Sequence, residues 1–110
     1  LAKLAFGDRD DGLVLVAAAP SVELADLRLP PAPLVGVIEA VEKPGNLGAM
    51  LRTADAAGVT AVVAADPVTD WGNPNVVRAS KGTVFSVPVA SATTEAVTAW
   101  LRRHGEELEL

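Results

Sequence analysis

The chain has 110 residues and a formal net charge of −5, and the apolar half of its composition is mostly Ala, Val and Leu. It contains no Cys and a single His, which excludes disulfides, thiolate metal sites and metal clusters built from several His side chains. No apolar run approaches the roughly 20 residues that a membrane-spanning helix requires. These properties predict one small α/β domain, with the cytoplasm as the default location.

The N-terminal part of the chain predicts a lead-in to that domain. Residues 13–18 are predicted to form a strand, and residues 21–27 a helical turn. The Pro-rich stretch 30–33 is predicted to be a stiff linker. We therefore assign residues 1–33 to a lead-in strand and linker, and residues 34–110 to the domain proper.

The next part of the chain predicts a βαβ unit. The apolar run 34–41 indicates a buried strand, and residues 59–65 indicate a second one. A helix is predicted between them over residues 47–57, with Asn46 as a suitable N-cap. A βαβ unit of this kind places polar groups at the carboxyl end of a parallel strand.

Arg52 lies off the apolar stripe of this predicted helix. Gly48, Arg52 and Asp55 share a different face, so we expect Arg52 to point toward the crevice at the carboxyl ends of the strands. Simpler interpretations stay open from the residues alone. Arg52 could be only a surface partner of Asp55, Gly48 could only permit close packing, and Asn46 could only cap the helix.

The rest of the chain predicts a loop over 66–75, a short helix that begins near Pro74, and a third strand over 84–89. A last helix is predicted after a cap at Thr93 or Thr94. Because βαβ crossovers are right-handed, the three main strands predict an α/β fold of three layers, α/β/α, with a mainly parallel sheet.

Two segments carry a resemblance to a known family. Residues 46–59 contain the pattern N-L-G-A-x-x-R-T-A-D-A-A-G-V, which closely resembles the first signature of the SpoU/TrmH class of SPOUT RNA methyltransferases. Residues 75–89 contain an R-x-S-x-G stretch before an apolar run with Pro near its end, which is similar to a second family pattern. The resemblance implies 2′-O-methylation of an RNA ribose, in rRNA or tRNA, with S-adenosylmethionine as the cofactor and without a metal.

The same resemblance implies a set of site residues. Asn46 and Arg52 would be catalytic, because a cation beside the developing ribose alkoxide lowers the barrier to methyl transfer. The implied substrate-binding residues lie within the two signatures: Gly48, Arg78, Ser80 and Lys81. Arg78, Ser80 and Lys81 are equally consistent with polar residues that solvate the end of a helix. The roles of Glu39 and Trp71 stay open.

The family's two remaining signatures, a G-x-E segment and an S-L-N segment, hold the methyl donor in knotted loops. Both are expected downstream of the last helix, beyond Leu110. The resemblance therefore implies the front part of a methyltransferase domain, without the knot-forming segment and without cofactor-binding residues, and inactive on its own. A non-catalytic α/β module that serves dimerisation or RNA contact is the alternative.

The charge of the chain bears on its partners. RNA-binding proteins usually present a basic face, and a net charge of −5 predicts that RNA capture depends on another segment, or that the acidic ends lie away from the site. Family resemblance implies a homodimer. The particular RNA and the nucleotide methylated cannot be read from these residues.

Overall fold

The framework of the molecule is a three-stranded parallel sheet. A computed structural model of the chain describes residues 12–105. The strands are β1 (Val35–Glu39), β2 (Ala61–Ala65) and β3 (Val89–Ala92), in the spatial order β1–β2–β3. Both pairings are parallel, as predicted, and every residue of the central strand β2 is buried.

Three α-helices and two short 3-10 turns cover this sheet. The helices are α1 (Pro44–Ala56), α2 (Pro74–Ala79) and α3 (Thr94–Arg103), and the 3-10 turns are Leu24–Asp26 and Thr83–Phe85. Among residues 12–105, no helix has the length and apolar character needed to cross a membrane.

The sheet lies between two separate hydrophobic cores. Val62 and Ala64 of β2 pack with α1 and α2, whereas Val63 and Ala65 pack with α3 and the first 3-10 turn. Alternate side chains of a strand point to opposite faces, so one short apolar strand serves both cores. The predicted three-layer α/β arrangement with a parallel sheet is confirmed.

Helix α1 begins earlier than predicted. Pro44 occupies the first helical position, where its fixed φ angle and missing N–H are suited to the helix start. Lys43 is the N-cap, and Asn46 lies within the first turn, its N–H donating to the Lys43 carbonyl over 3.1 Å. The prediction that Asn46 caps the helix is therefore wrong.

The third strand is also displaced from its predicted position. A 3-10 turn occupies Thr83–Phe85, and the side chains of Val84 and Val87 pack into the core on the α1 side. Because Pro88 has no N–H to donate to a ladder, regular pairing begins only after it, at Val89. The prediction of a strand over 84–89 is therefore wrong.

The predicted lead-in strand does not form. Residues 13–18 adopt no regular structure, and Leu13 and Leu15 are 74% and 84% exposed. Slightly further along the chain, the N–H of Ser91 donates to the carbonyl of Val22 over 2.9 Å, so the chain is bonded to the edge of β3 at one point. A single bond of this kind does not make a ladder. The predicted helical turn that follows is confirmed as the 3-10 turn Leu24–Asp26.

The last helix and the loop before α2 fold as the local signals predict. The Thr93 hydroxyl accepts a hydrogen bond from the Ala96 N–H over 3.1 Å and caps α3. Trp71, whose role the sequence does not decide, is 2% exposed, and its indole N–H donates to the Ala90 carbonyl over 3.0 Å. The structure therefore places Trp71 in the core, where it ties the loop after β2 to strand β3.

Candidate functional site

Helix α1 is flanked by two grooves that share the ridge formed by Ala49 and Thr53. The strand-side groove, about 550 Å³, lies between α1 and β1 and is lined mainly by apolar side chains, with Asn46 at one side. The cationic groove, about 570 Å³, lies between α1 and the turn that follows α2. The Thr53 hydroxyl donates to the Ala49 carbonyl over 3.2 Å, so the ridge is bonded within the helix.

The cationic groove brings together residues that are distant in sequence. Its polar lining consists of Thr53 on the ridge together with Arg52, Asp55, Lys81 and Thr83. Both cations and the carboxylate are exposed. Within residues 12–105, Arg52 and Asp55 form neither an ion pair nor a hydrogen bond. The simple interpretation of Arg52 as the surface partner of Asp55 therefore has no support in the structure.

The position of Arg52 along helix α1 bears on the predicted crevice at the carboxyl ends of the strands. Arg52 is about 12 Å along the helix axis from Pro44, at a rise of 1.5 Å per residue. Lys81 and Thr83, on the opposite side of the groove, precede β3 in the chain. The expectation that Arg52 faces a crevice at the carboxyl ends stays a prediction, because the side chains of a helix lean toward its N-terminus, which here follows the carboxyl end of β1.

Gly48 lies in a close contact between α1 and α2. A Cβ atom at this position would lie 2.7 Å from the Ala79 Cβ, and 2.8 Å from both the Ser80 nitrogen and the Val76 carbonyl oxygen. Side chains essentially never approach backbone atoms so closely, so only a residue without a side chain fits here. Gly48 is buried in this contact, which brings α1 and α2 close together.

Ser80 completes the same contact from the other side. Its side chain is fully buried, and its hydroxyl donates to the Val77 carbonyl over 2.8 Å. The Ser80 carbonyl accepts from both the N–H of Thr83, over 3.1 Å, and the Thr83 hydroxyl, over 2.7 Å. These bonds fix the turn that carries Lys81, whose backbone is held at φ +56°.

The predicted site residues thus separate into four groups. Arg52 and Lys81 share the cationic groove, while Asn46 lies across the ridge in the strand-side groove. Gly48 and Ser80 are buried between the helices. Arg78 is exposed in the last turn of α2, outside the lining of the cationic groove.

Thr83 was not among the sequence candidates. Its only signal was its position just after Gly82, whose left-handed φ of +85° turns the chain toward the core. Glu39, which the sequence left open, is exposed and accepts a hydrogen bond from the Thr94 hydroxyl over 3.0 Å. This bond joins the carboxyl end of β1 to the first turn of α3.

Neither groove beside α1 by itself fits S-adenosylmethionine, which needs an apolar slot for its base and polar partners for its ribose and amino-acid group. The strand-side groove is apolar except for Asn46 and Thr53, and the Thr53 hydroxyl is already bonded within its helix. The cationic groove has charges but no apolar slot. Among residues 12–105, every buried polar side-chain atom has a partner, and no three His, Asp or Glu side chains are grouped to hold a metal ion.

Comparison with known proteins identifies the family. Residues 33–108 match the model of the SpoU rRNA Methylase family. The chain belongs to this family. It is 43% identical over 77 residues to a 23S rRNA (guanosine(2553)-2′-O)-methyltransferase of Bacillus subtilis, covering 70% of this chain and 29% of that protein. A 23S rRNA (guanosine-2′-O-)-methyltransferase of Bordetella pertussis is 41% identical over 100 residues, covering 86% of this chain and 40% of that protein.

Solved structures of SpoU proteins share the fold. The crystal structure of an RNA 2′-O ribose methyltransferase superposes on this chain with a TM-score of 0.67 at 42% identity. The match covers 78% of this chain and 33% of that protein. The SpoU methyltransferase AviRb of Streptomyces viridochromogenes, in complex with its cofactor AdoMet, gives a TM-score of 0.70 at 27% identity, with coverages of 79% and 33%. The chain thus spans roughly a third of the length of these relatives.

Proposed function

We propose that the intact protein containing this chain is an RNA ribose 2′-O-methyltransferase that acts on rRNA or tRNA, with S-adenosylmethionine as its methyl donor. The observation that carries the proposal is the SpoU family match over residues 33–108, in a chain whose relatives are named as 23S rRNA 2′-O-methyltransferases. Because the chain spans only part of those relatives, the activity is assigned to the intact protein. The 110-residue chain alone is expected to be inactive.

Arg52 is the proposed catalytic cation. A ribose 2′-hydroxyl is a very weak acid, so negative charge that develops on its oxygen must be stabilised as the proton leaves. A guanidinium that is already in place provides that stabilisation without reorganisation at the moment of reaction. Arg52 is exposed at the cationic groove, where a nucleotide can reach it.

Asn46 is proposed to act at a distance from Arg52. Its N–H donates to the Lys43 carbonyl in the first turn of α1, so it helps to set the path by which the chain enters the helix. Its side chain is exposed at the strand-side groove. We therefore assign Asn46 to shaping the site, and the charge stabilisation to Arg52.

The methyl donor is proposed to bind in a pocket that other parts of the intact protein complete. When bound, it supplies the methyl group that the ribose oxygen receives. Neither groove beside α1 is a suitable pocket, and the proposed contribution of the residues there is to position the RNA and to stabilise charge on the ribose oxygen. A metal ion has no role in this proposal.

A cytoplasmic homodimer is the proposed working state. Ribosomal RNA, which the named relatives modify, supports the location. The outer edge of β1 supports association, since no other strand within residues 12–105 pairs with it. Unpaired strand edges promote association between chains.

The proposal is tested by incubating the intact protein with unmethylated rRNA transcripts and methyl-labelled S-adenosylmethionine. We expect label at a ribose 2′-oxygen, detected as one phosphodiester that resists alkaline hydrolysis because its neighbouring 2′-oxygen is blocked. A matched control is the intact protein with Arg103→Ala, which removes a cation at the far end of α3 and should leave transfer unchanged. RNA binding without transfer to rRNA or tRNA would contradict the proposal and favour a non-catalytic module.

A further inference from the structure

We infer that Lys81 binds a backbone phosphodiester of the RNA substrate in the cationic groove, beside the ribose on which Arg52 acts. The inference rests on the proposed function and adds to it the chemical group that the second cation recognises. In this inference the buried residues Gly48 and Ser80 have a positioning role, because they hold the turn that carries Lys81 against helix α1.

The local charge of the groove supports this assignment. The chain as a whole has a formal net charge of −5. The charged residues that line the groove are two cations, Arg52 and Lys81, and one carboxylate, Asp55, which leaves the lining positive. An otherwise acidic chain therefore offers a polyanion a locally favourable place, and electrostatic neutralisation of phosphates is the main source of affinity for nucleic acids.

The geometry of the turn supports it as well. Lys81 lies at a left-handed φ of +56°, which non-glycine residues rarely adopt, and its N–H donates to the Arg78 carbonyl over 3.2 Å. On the other side of Lys81, the turn is held by the Ser80 carbonyl, which accepts two hydrogen bonds from Thr83. The position from which the Lys81 side chain leaves the backbone is thus fixed before RNA arrives, which reduces the ordering cost of binding.

The covalent structure of RNA makes a phosphodiester the natural second ligand. The 2′-oxygen of an internal nucleotide is adjacent to a 3′-oxygen that is esterified to phosphate, so any ribose placed at Arg52 brings a phosphate with it. A lysine ammonium binds phosphate as a point charge and reads no base. The groove is open and about 570 Å³ in volume, which suits a strand lying along the surface.

The inference is tested by measuring the affinity of the intact protein for unmodified rRNA transcript over a series of salt concentrations. Lys81→Asn removes the charge and keeps a residue type that tolerates positive φ. Lys81→Arg keeps the charge. The matched control is Lys43→Gln, which removes an exposed lysine at the N-cap of α1, outside the groove lining.

We expect Lys81→Asn to reduce the magnitude of the slope of log K against log salt by about 0.7 to 0.9, the value for one lost phosphate contact. Lys81→Arg should restore the slope, and Lys43→Gln should not change it. Thermal melting of all three variants should stay close to wild type, which separates a lost contact from a lost fold.

Two results would overturn the inference. One is an unchanged slope for Lys81→Asn, and the other is an equal change for Lys81→Asn and Lys43→Gln, which would indicate a general charge effect. Binding of an acidic peptide that Lys81→Asn abolishes, with RNA binding unaffected, would assign the groove to a different partner and would also overturn it. Failure of the proposed function is distinguishable, because it appears as absent methyl transfer in the wild-type protein.

Discussion

At the scale of single residues, Gly48 is the position on which the contact between α1 and α2 depends most. We predict that Gly48→Ala destabilises the protein by about 1 to 3 kcal/mol, the usual cost of forcing extra atoms into a packed site. Two of the three nearest atoms to a new Cβ belong to the backbone of α2 and the residue after it, so rotation of a side chain cannot relieve the clash. Urea denaturation of the intact protein measures this free energy of unfolding.

Gly45→Ala is the matched control for that prediction. Gly45 lies in the first turn of the same helix, and a Cβ there would have no neighbour within 4 Å. Its replacement should be neutral or stabilising by up to about 1 kcal/mol, since alanine is the better helix former. Equal stabilities for the two variants would mean that the close contact at Gly48 does not exist in solution.

The same residue shows where sequence reasoning stops. The sequence indicated that Gly48 could permit close packing, and it placed Arg52 on a neighbouring part of the same helix. The partner of Gly48 could not be predicted, because Ala79 and Ser80 approach it only through the tertiary packing of α2 on α1. For the same reason, the meeting of Arg52 with Lys81 in one groove emerged only from the structure.

At the scale of elements, helix α3 depends on its cap. We predict that Thr93→Ala costs about 1 kcal/mol of stability, because the first-turn N–H of Ala96 loses its hydrogen-bond acceptor. Thermal unfolding of the intact protein, monitored by circular dichroism, checks this value.

Thr98→Ala provides the comparison on the same helix. The Thr98 hydroxyl donates to the Thr94 carbonyl over 2.8 Å, a bond to the preceding turn that contributes little to helix stability. Its removal should change stability by no more than about 0.5 kcal/mol. A loss as large as that of Thr93→Ala would show that the cap has no special role.

Elements with strong local signals were predictable, and those that depend on tertiary pairing were less so. The proline that begins α2 and the threonine cap of α3 were readable because each signal acts within a few residues. The third strand was misplaced because residues 84–89 form a mainly apolar run, while the true strand, Val-Ala-Ser-Ala, is too weakly apolar to stand out. Residues 13–18 have β-forming side chains but no ladder to join.

At the scale of the whole molecule, we propose that the open edge of β1 contributes to association between chains. Val37 on this strand is 44% exposed, and no strand within residues 12–105 pairs with its outer side. We predict that the 110-residue chain self-associates in solution and that Val37→Lys shifts it toward monomer, since a charge on an edge strand opposes pairing with another chain. Light scattering over a range of concentrations measures this.

Val68→Lys is the control for association. Val68 is more exposed than Val37, at 70%, but lies in the loop after β2 rather than on a strand edge. The Val68→Lys substitution should leave the oligomeric state unchanged if the strand edge, rather than exposed apolar area, drives association. A wild-type chain that stays monomeric at high concentration would contradict the prediction.

The central claim is that Arg52 stabilises charge during methyl transfer, and a single-turnover assay of the intact protein with Arg52→Ala tests it most directly. We predict a rate reduced by about 10²-fold or more, the scale found when one preorganised charge-stabilising group is deleted. Melting temperature and donor binding should be nearly unchanged, because Arg52 is exposed and outside the packed stripe. Arg52→Lys should rescue poorly, since an ammonium lacks the planar set of donors. An Arg52→Ala protein that methylates RNA at the wild-type rate would contradict the account.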